Sequence, residues 1–186
     1  MDLQKHLEQG WNTFIRFIGP TLLLTLVFFA VSFFSLGILA PVTSAGYFQS
    51  LLRAHRDGRC PEVKDLFSYM ALFLPLFLFG FVSFLAMLLG FILFVLPGFA
   101  VMILLCFACL YLLPLMTDKN MDLMDGLKKS WAMAMAPPVG DHIIITVVYI
   151  GLISVGGSLP FVILLAQPLA TCIVISFYQE RLNVLE

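Results

Sequence analysis

Three long stretches of the chain carry no charged side chain: residues 17–52, 66–117 and 143–179. The longest has 52 residues. As one straight helix it would run about 78 Å, against a bilayer hydrocarbon core of about 30 Å. Each stretch must therefore fold back on itself, and each has a turn signal near its middle. The first has Ser35-Leu36-Gly37 and then Pro41, the second Pro97-Gly98, the third Gly156-Gly157-Ser158 and then Pro160. Proline has no N–H to give and blocks the preceding turn, while glycine accepts positive φ, so such pairs end one helix and begin another. The pattern predicts six membrane helices, at about 19–36, 39–54, 70–94, 98–117, 141–155 and 160–180. They pair as hairpins over 19–54, 70–117 and 141–180, with Pro97-Gly98 at the tip of the second.

Ahead of each hairpin the period changes. Leu3, Leu7, Trp11, Phe14, Ile15 and Ile18 share one face of a helix, with Lys5, Glu8, Asn12 and Arg16 elsewhere on it. After Pro61, a helix-start residue, Val63, Leu66, Phe67 and Met70 make a brief second stripe. Met121, Met124, Leu127, Trp131 and Met135 make the third, with Asp125 and Lys129 an i,i+4 pair on the other face. Both tryptophans of the chain lie in these segments, where an interfacial belt places them. Three copies of amphipathic helix and hairpin suggest a threefold internal repeat. The expected fold is thus an all-α polytopic membrane protein: one integral-membrane domain over residues 1–186, six transmembrane helices in three helical hairpins, each preceded by a cytoplasmic amphipathic helix.

Composition agrees. The chain is 61% hydrophobic and 11% charged, with mean hydropathy +1.04, where a soluble domain has roughly 45–50% apolar and about 25% charged residues. Charge gives an independent check on topology. With three hairpins, all ten lysines and arginines fall on one side: Lys5, Arg16, Arg53, Arg56, Arg59, Lys64, Lys119, Lys128, Lys129 and Arg181. The positive-inside rule then places both termini in the cytoplasm. A rival arrangement, with 19–40 a lone span and 41–54 an interfacial helix, would put Arg53, Arg56, Arg59 and Lys64 outside. It answers one weakness of the hairpin scheme, since the legs of the first hairpin fall short of the ~20 residues of a full crossing. Net charge is −1, with no basic stripe, so no nucleic-acid partner is expected. The N-terminus, with Asp2, Glu8 and an over-long apolar run, does not read as a signal peptide.

Several short motifs resemble a bacterial integral-membrane superfamily. Pro97-Gly98 opens a helix, a run ends in Tyr111-Leu112-Leu113-Pro114-Leu115, Asp118 follows, and then comes Gly126-Leu127-Lys128-Lys129-Ser130. Earlier stand Gly46, Arg56-Asp57-Gly58, Pro61 and Asp65-Leu66-Phe67; later, Pro168 and Tyr178. Together, over about residues 40–180, these resemble the YciC-like proteins and the membrane domain found beside glycerophosphodiester phosphodiesterases. Pro137-Pro138 stands where the family often has a glycine-bearing turn. The resemblance implies six helices and a bacterial inner (cytoplasmic) membrane. It brings no catalytic residues, and no phosphodiesterase domain is expected within these residues.

Candidate chemistry is sparse. Proton and sodium relays place ionisable groups inside the membrane, and the interiors of the predicted spans hold no Asp, Glu, Lys or Arg. Gln49, Thr146, Tyr149 and Gln167 are the residues that could line a pore or touch a ligand. Gln167 precedes Pro168 and can equally satisfy the carbonyl that proline leaves free. Pro75 and Pro114 read as kinks near the cytoplasmic face. Cys106-Phe107-Ala108-Cys109 spells C-x-x-C, yet mid-span and without further ligands it reads as packing. Asp141-His142 is the best nucleus for an enzyme, but adjacent helical residues diverge, and Asp141 reads better as the N-cap of the fifth helix. No cofactor, metal or catalytic residue is expected. The expectation is a non-enzymatic inner-membrane protein of lipid-handling or membrane-assembly (scaffold) type. Its partners are membrane lipids and a protein partner or homo-oligomer, met through Trp11, Met121, Met124, Leu127, Trp131 and Met135. A passive oligomeric pore or uncoupled small-solute transporter is the alternative.

Overall fold

The uncharged stretches are helical apart from short turns, the second divided into three α-helices. The computed structural model describes residues 3–159 and 161–185, and no strand occurs among them. Helix α1 (Leu3–Arg16) meets α2 (Ile18–Phe34) at an 88° bend. Helix α3 (Ala40–Asp57) leads through 3-10 turns at Val63–Phe67 and Met70–Leu72 into α4 (Phe73–Leu93). There follow α5 (Val95–Cys109), α6 (Leu112–Asp118), α7 (Leu123–Met135), α8 (Val139–Gly157) and α9 (Ile163–Leu185).

Four of these stretches are long and apolar enough to cross a membrane: Val63–Leu93, Val95–Asp118, Val139–Gly157 and Ile163–Asn183. The bent α1–α2 pair makes a fifth if counted as one span. Such a chain has the build of a multi-pass membrane protein. By length and composition, four or five of the six predicted spans are long and apolar enough to cross. Helix α2 has only 17 residues, and α3 ends in Arg53, His55, Arg56 and Asp57. Pro160, expected at the third turn, and the side chain of Leu3, counted in the α1 stripe, lie outside the described residues.

The tip of the second pair differs from the expected one. The chain turns at Phe94, which is extended, and Pro97 lies in the first turn of α5, where a missing N–H loses no helical bond. Gly98 serves close packing instead. A Cβ there would meet the Phe91 ring at 2.5 Å, and one on Gly90 would meet the Gly98 Cα at 2.9 Å. Glycine at both positions lets α4 and α5 touch backbone to backbone directly after the turn.

The predicted fourth helix is broken at Leu110-Tyr111, between α5 and α6. Pro114 cannot donate to the Leu110 carbonyl, and freed backbone groups in an apolar setting need other partners. Two side chains supply them. The Ser130 hydroxyl of α7 donates to the Ala108 carbonyl at 2.6 Å and accepts the Tyr111 amide at 3.3 Å. His142 of α8 places Nε2 2.9 Å from the Phe107 carbonyl and Nδ1 3.1 Å from the Tyr111 hydroxyl. A carbonyl only accepts, so Nε2 carries the proton and Nδ1 receives that of Tyr111.

The core sits around α3 and α9, buried continuously over residues 45–52 and 170–178. Where the Val63–Phe67 turn crosses α3, Gly46 lies directly beneath it. A Cβ on Gly46 would run into the carbonyl oxygens of Asp65 and Leu66. Asp65 is held there by the Ser50 hydroxyl at 2.8 Å, the Arg59 guanidinium at 3.0 Å and the Glu62 amide at 3.3 Å.

Candidate functional site

The charged segments between the apolar stretches touch one another. Arg56 joins the end of α3 to Asp118 of α6 at 2.8 Å, and Thr13 of α1 meets His55 at 2.7 Å. His6 of α1, buried, lies 2.8 Å from both Ser176 and Glu180 of α9. The Arg181 guanidinium of α9 donates to the carbonyls of Ala136 and Pro138, at 2.7 and 2.6 Å, tying down the α7–α8 link. The hydrogen bond to Asp118 is the main cause that raises the pKa of Arg56. In the loop before α4, the hydrogen bond from Lys64 holds the Glu62 carboxyl below its usual range, with Arg59 adding to it.

Helices α1 and α7 fringe this charged end, and each packs through a narrow face that mixes small or polar residues with one large apolar side chain, Phe14 or Met133. In α1 the buried residues are His6, Gly10 and Phe14, with Gly10 against Ile173. Trp11, Ile15 and Ile18 stay outside, Trp11 being 52% exposed. In α7 the buried face is Gly126, Ser130, Met133 and Ala134. The predicted α7 stripe divides: Met121 and Leu127 lean half-buried on the core, while Met124, Trp131 and Met135 remain exposed. The i,i+4 pair Gly126 and Ser130 carries the packing face, because the α5–α6 break needs the serine hydroxyl and Leu112 presses close to the glycine.

Of the four candidate pore or ligand residues, the structure brings two together. Tyr149 of α8 and Gln167 of α9 face the same cavity, of ≈ 300 Å³, between α5, α8 and the α2–α3–α9 core. Gln49 lies elsewhere and accepts the Thr117 hydroxyl at 2.9 Å. Thr146 donates to the His142 carbonyl at 2.8 Å and borders the apolar groove between α5 and α8. Cys106 and Cys109 also line the cavity, together with Ser44 and Tyr47 of α3. Sequence reasoning missed the cavity because its walls come from helices distant in the chain, and no local period marks them.

Asp141 does not cap α8. Pro138 holds the cap position, and Asp141 falls in the first turn, where a carboxylate suits the positive helix end. Both ring nitrogens of His142 are engaged in the α5–α6 break. Among the described residues no three His, Cys, Asp or Glu side chains gather closely enough to hold a metal ion. No family model, curated protein or solved structure matches the chain.

Proposed function

We propose that this is a non-enzymatic protein of the bacterial inner membrane that handles lipid or scaffolds membrane assembly. It would cross the membrane six times as three hairpins, with both termini in the cytoplasm, and meet lipid headgroups or a protein partner through α1 and α7. One observation carries this reading: both amphipathic helices bury one face, with Phe14 and Met133 in the core, and still hold Trp11, Ile15, Trp131 and Met135 outward beside the charged end. A surface helix of a soluble protein keeps its outward face charged or polar. Tryptophan beside charged segments suits the headgroup level of a bilayer. The motifs that resemble the YciC-like superfamily add support, because they meet in space: Gly46 with Asp65-Leu66, Tyr111 with Ser130, and Arg56 with Asp118.

The test is native mass spectrometry of the purified protein, with capture of membrane partners. Retained phospholipid or a specific partner is the expected result; neither would end the proposal. Topology is checked by labelling single cysteines at positions 56 and 128 in intact cells and inverted vesicles, where both should react from the cytoplasmic side. A pore would need Gln49, Thr146, Tyr149 and Gln167 along one wettable path. They occupy three separate places, so we do not adopt that alternative.

A further inference from the structure

We propose that the cavity between α5, α8 and the α2–α3–α9 core binds an uncharged lipid whose polar end is a hydroxyl or carbonyl group. This rests on the membrane reading above but not on headgroup contact by α1 and α7. At ≈ 300 Å³ the cavity stands at the lower end of the roughly 300–1,000 Å³ of small-molecule sites. Phe28, Phe48, Leu105 and Leu113 supply apolar walls. Water alone is a poor occupant. A volume of this size would hold about ten molecules at bulk density, each seeking two to four polar partners, and the lining offers few.

The polar groups that do face the cavity define the ligand. No Lys, Arg, His, Asp or Glu lines it. A phosphate, carboxylate or ammonium would therefore lose its hydration without gaining a counter-charge. What remains is neutral: the Gln167 amide, the hydroxyls of Tyr149, Tyr47, Ser44 and Thr171, and the thiols of Cys106 and Cys109. Tyr47 is bonded to Thr25, while Ser44 and Thr171 spend their protons on the Ala40 and Gln167 backbone carbonyls. A primary amide has two N–H donors and one acceptor oxygen, so the Gln167 side chain has capacity for a partner inside the cavity. The Ser44 oxygen likewise remains able to accept. A hydroxyl can serve both groups, and a carbonyl can take an amide N–H. Gln167 and Tyr149 belong to stretches apolar enough to cross the membrane, so the ligand would arrive from the bilayer. The cavity is too small for a whole phospholipid and takes the polar end with the adjoining part of one chain.

The test uses the full chain reconstituted in phosphatidylcholine vesicles, with a long-chain alcohol that bears a diazirine beside its hydroxyl. After photolysis the labelled peptides are mapped by mass spectrometry, with the matching carboxylic acid, ionised, run in parallel. The alcohol should label saturably around Leu105, Leu113 and Gln167, with competition by unlabelled diacylglycerol, and the acid several-fold less. Gln167→Leu, which removes the amide, should weaken saturable labelling about five-fold, the worth of one net hydrogen bond. Cys106→Phe, which fills the space, should abolish it, with thermal unfolding confirming that both variants fold. Equal labelling by the acid overturns the proposal. So does unsaturable labelling spread over α4 of the unaltered protein, or labelling unchanged in both folded variants. If phospholipid is retained while no saturable label reaches the cavity, the cavity proposal alone is lost.

Discussion

Helices α3 and α9 differ from α4 and α5 in a way that inverts the usual rule for soluble proteins. In α4 only Leu76 and Gly90 are buried, and in α5 only Gly98, although both helices are almost wholly apolar. In α3 and α9 burial is continuous over residues 45–52 and 170–178, and those stretches hold Gln49, Ser50, Thr171 and Ser176. A soluble chain would hide the phenylalanines and leucines and leave the amide and hydroxyls in water. The difference shows what selects the interior here. Hydrocarbon is as apolar as leucine, so α4 gains little transfer energy by going inside, whereas each polar group needs a partner that lipid cannot offer. Gln49 finds Thr117, Ser50 finds Asp65, and Ser176 finds His6 and Gln9. Partner demand, more than hydrophobicity, sorts the helices.

That contrast can be broken or sharpened by substitution, and the largest effect should fall at Gly46. Gly46→Leu would drive a side chain into the backbone of residues 65 and 66, which cannot swing aside. Loss of the folded state, more than about 4 kcal/mol, is expected in thermal unfolding followed by circular dichroism. Leu89→Ala on α4, 58% exposed, should change stability by no more than about 0.5 kcal/mol in the same assay. A large loss there would break the comparison. Next comes Ser130→Ala, which strips partners from the Ala108 carbonyl and Tyr111 amide and should cost about 1–3 kcal/mol by the same measurement. Arg56→Ala removes the link to Asp118. Because Arg56 is half exposed, about 1 kcal/mol or less is expected, shrinking as salt is added.

The smallest effect concerns acid. The Glu62 carboxyl titrates below its ordinary value of 4.5 when folded, chiefly because Lys64 donates to it. A depressed carboxylate adds stability that is complete above 4.5 and disappears as pH falls through the folded value. Lys64→Met should therefore lower the neutral plateau slightly, leave stability at the acid extreme unchanged, and so flatten the acid limb of a stability–pH curve.

Much of the helix layout was legible, because uncharged runs and turn signals reflect bilayer thickness and backbone geometry directly. The tip at Pro97-Gly98 was misplaced by a few residues, since proline signals a break but is also welcome in a first turn. A kink at Pro114 could be read from that residue alone. Its partners, Ser130 and His142, could not, because they arrive from later helices and nothing local ties them to the break. His142 beside Asp141 resembled the start of an active site, and only its contacts reveal a backbone role. Trp11 and Trp131 marked the segments that flank the charged end. Which face of α1 and α7 meets the protein was hidden, because Gly10 and Gly126 matter through what presses against them. Tyr149 and Gln167 stood out as polar residues in apolar helices, yet their meeting depends on how α8 crosses α9.

The splint at Leu110-Tyr111 has a consequence for biosynthesis. The carbonyls of Phe107 and Ala108 are made long before the imidazole and hydroxyl that occupy them. While the ribosome is still short of residue 142, this part of the nascent chain has no native means of holding its bend. Pro114 weakens the helix there from the start, but the angle is held only once α7 and α8 arrive.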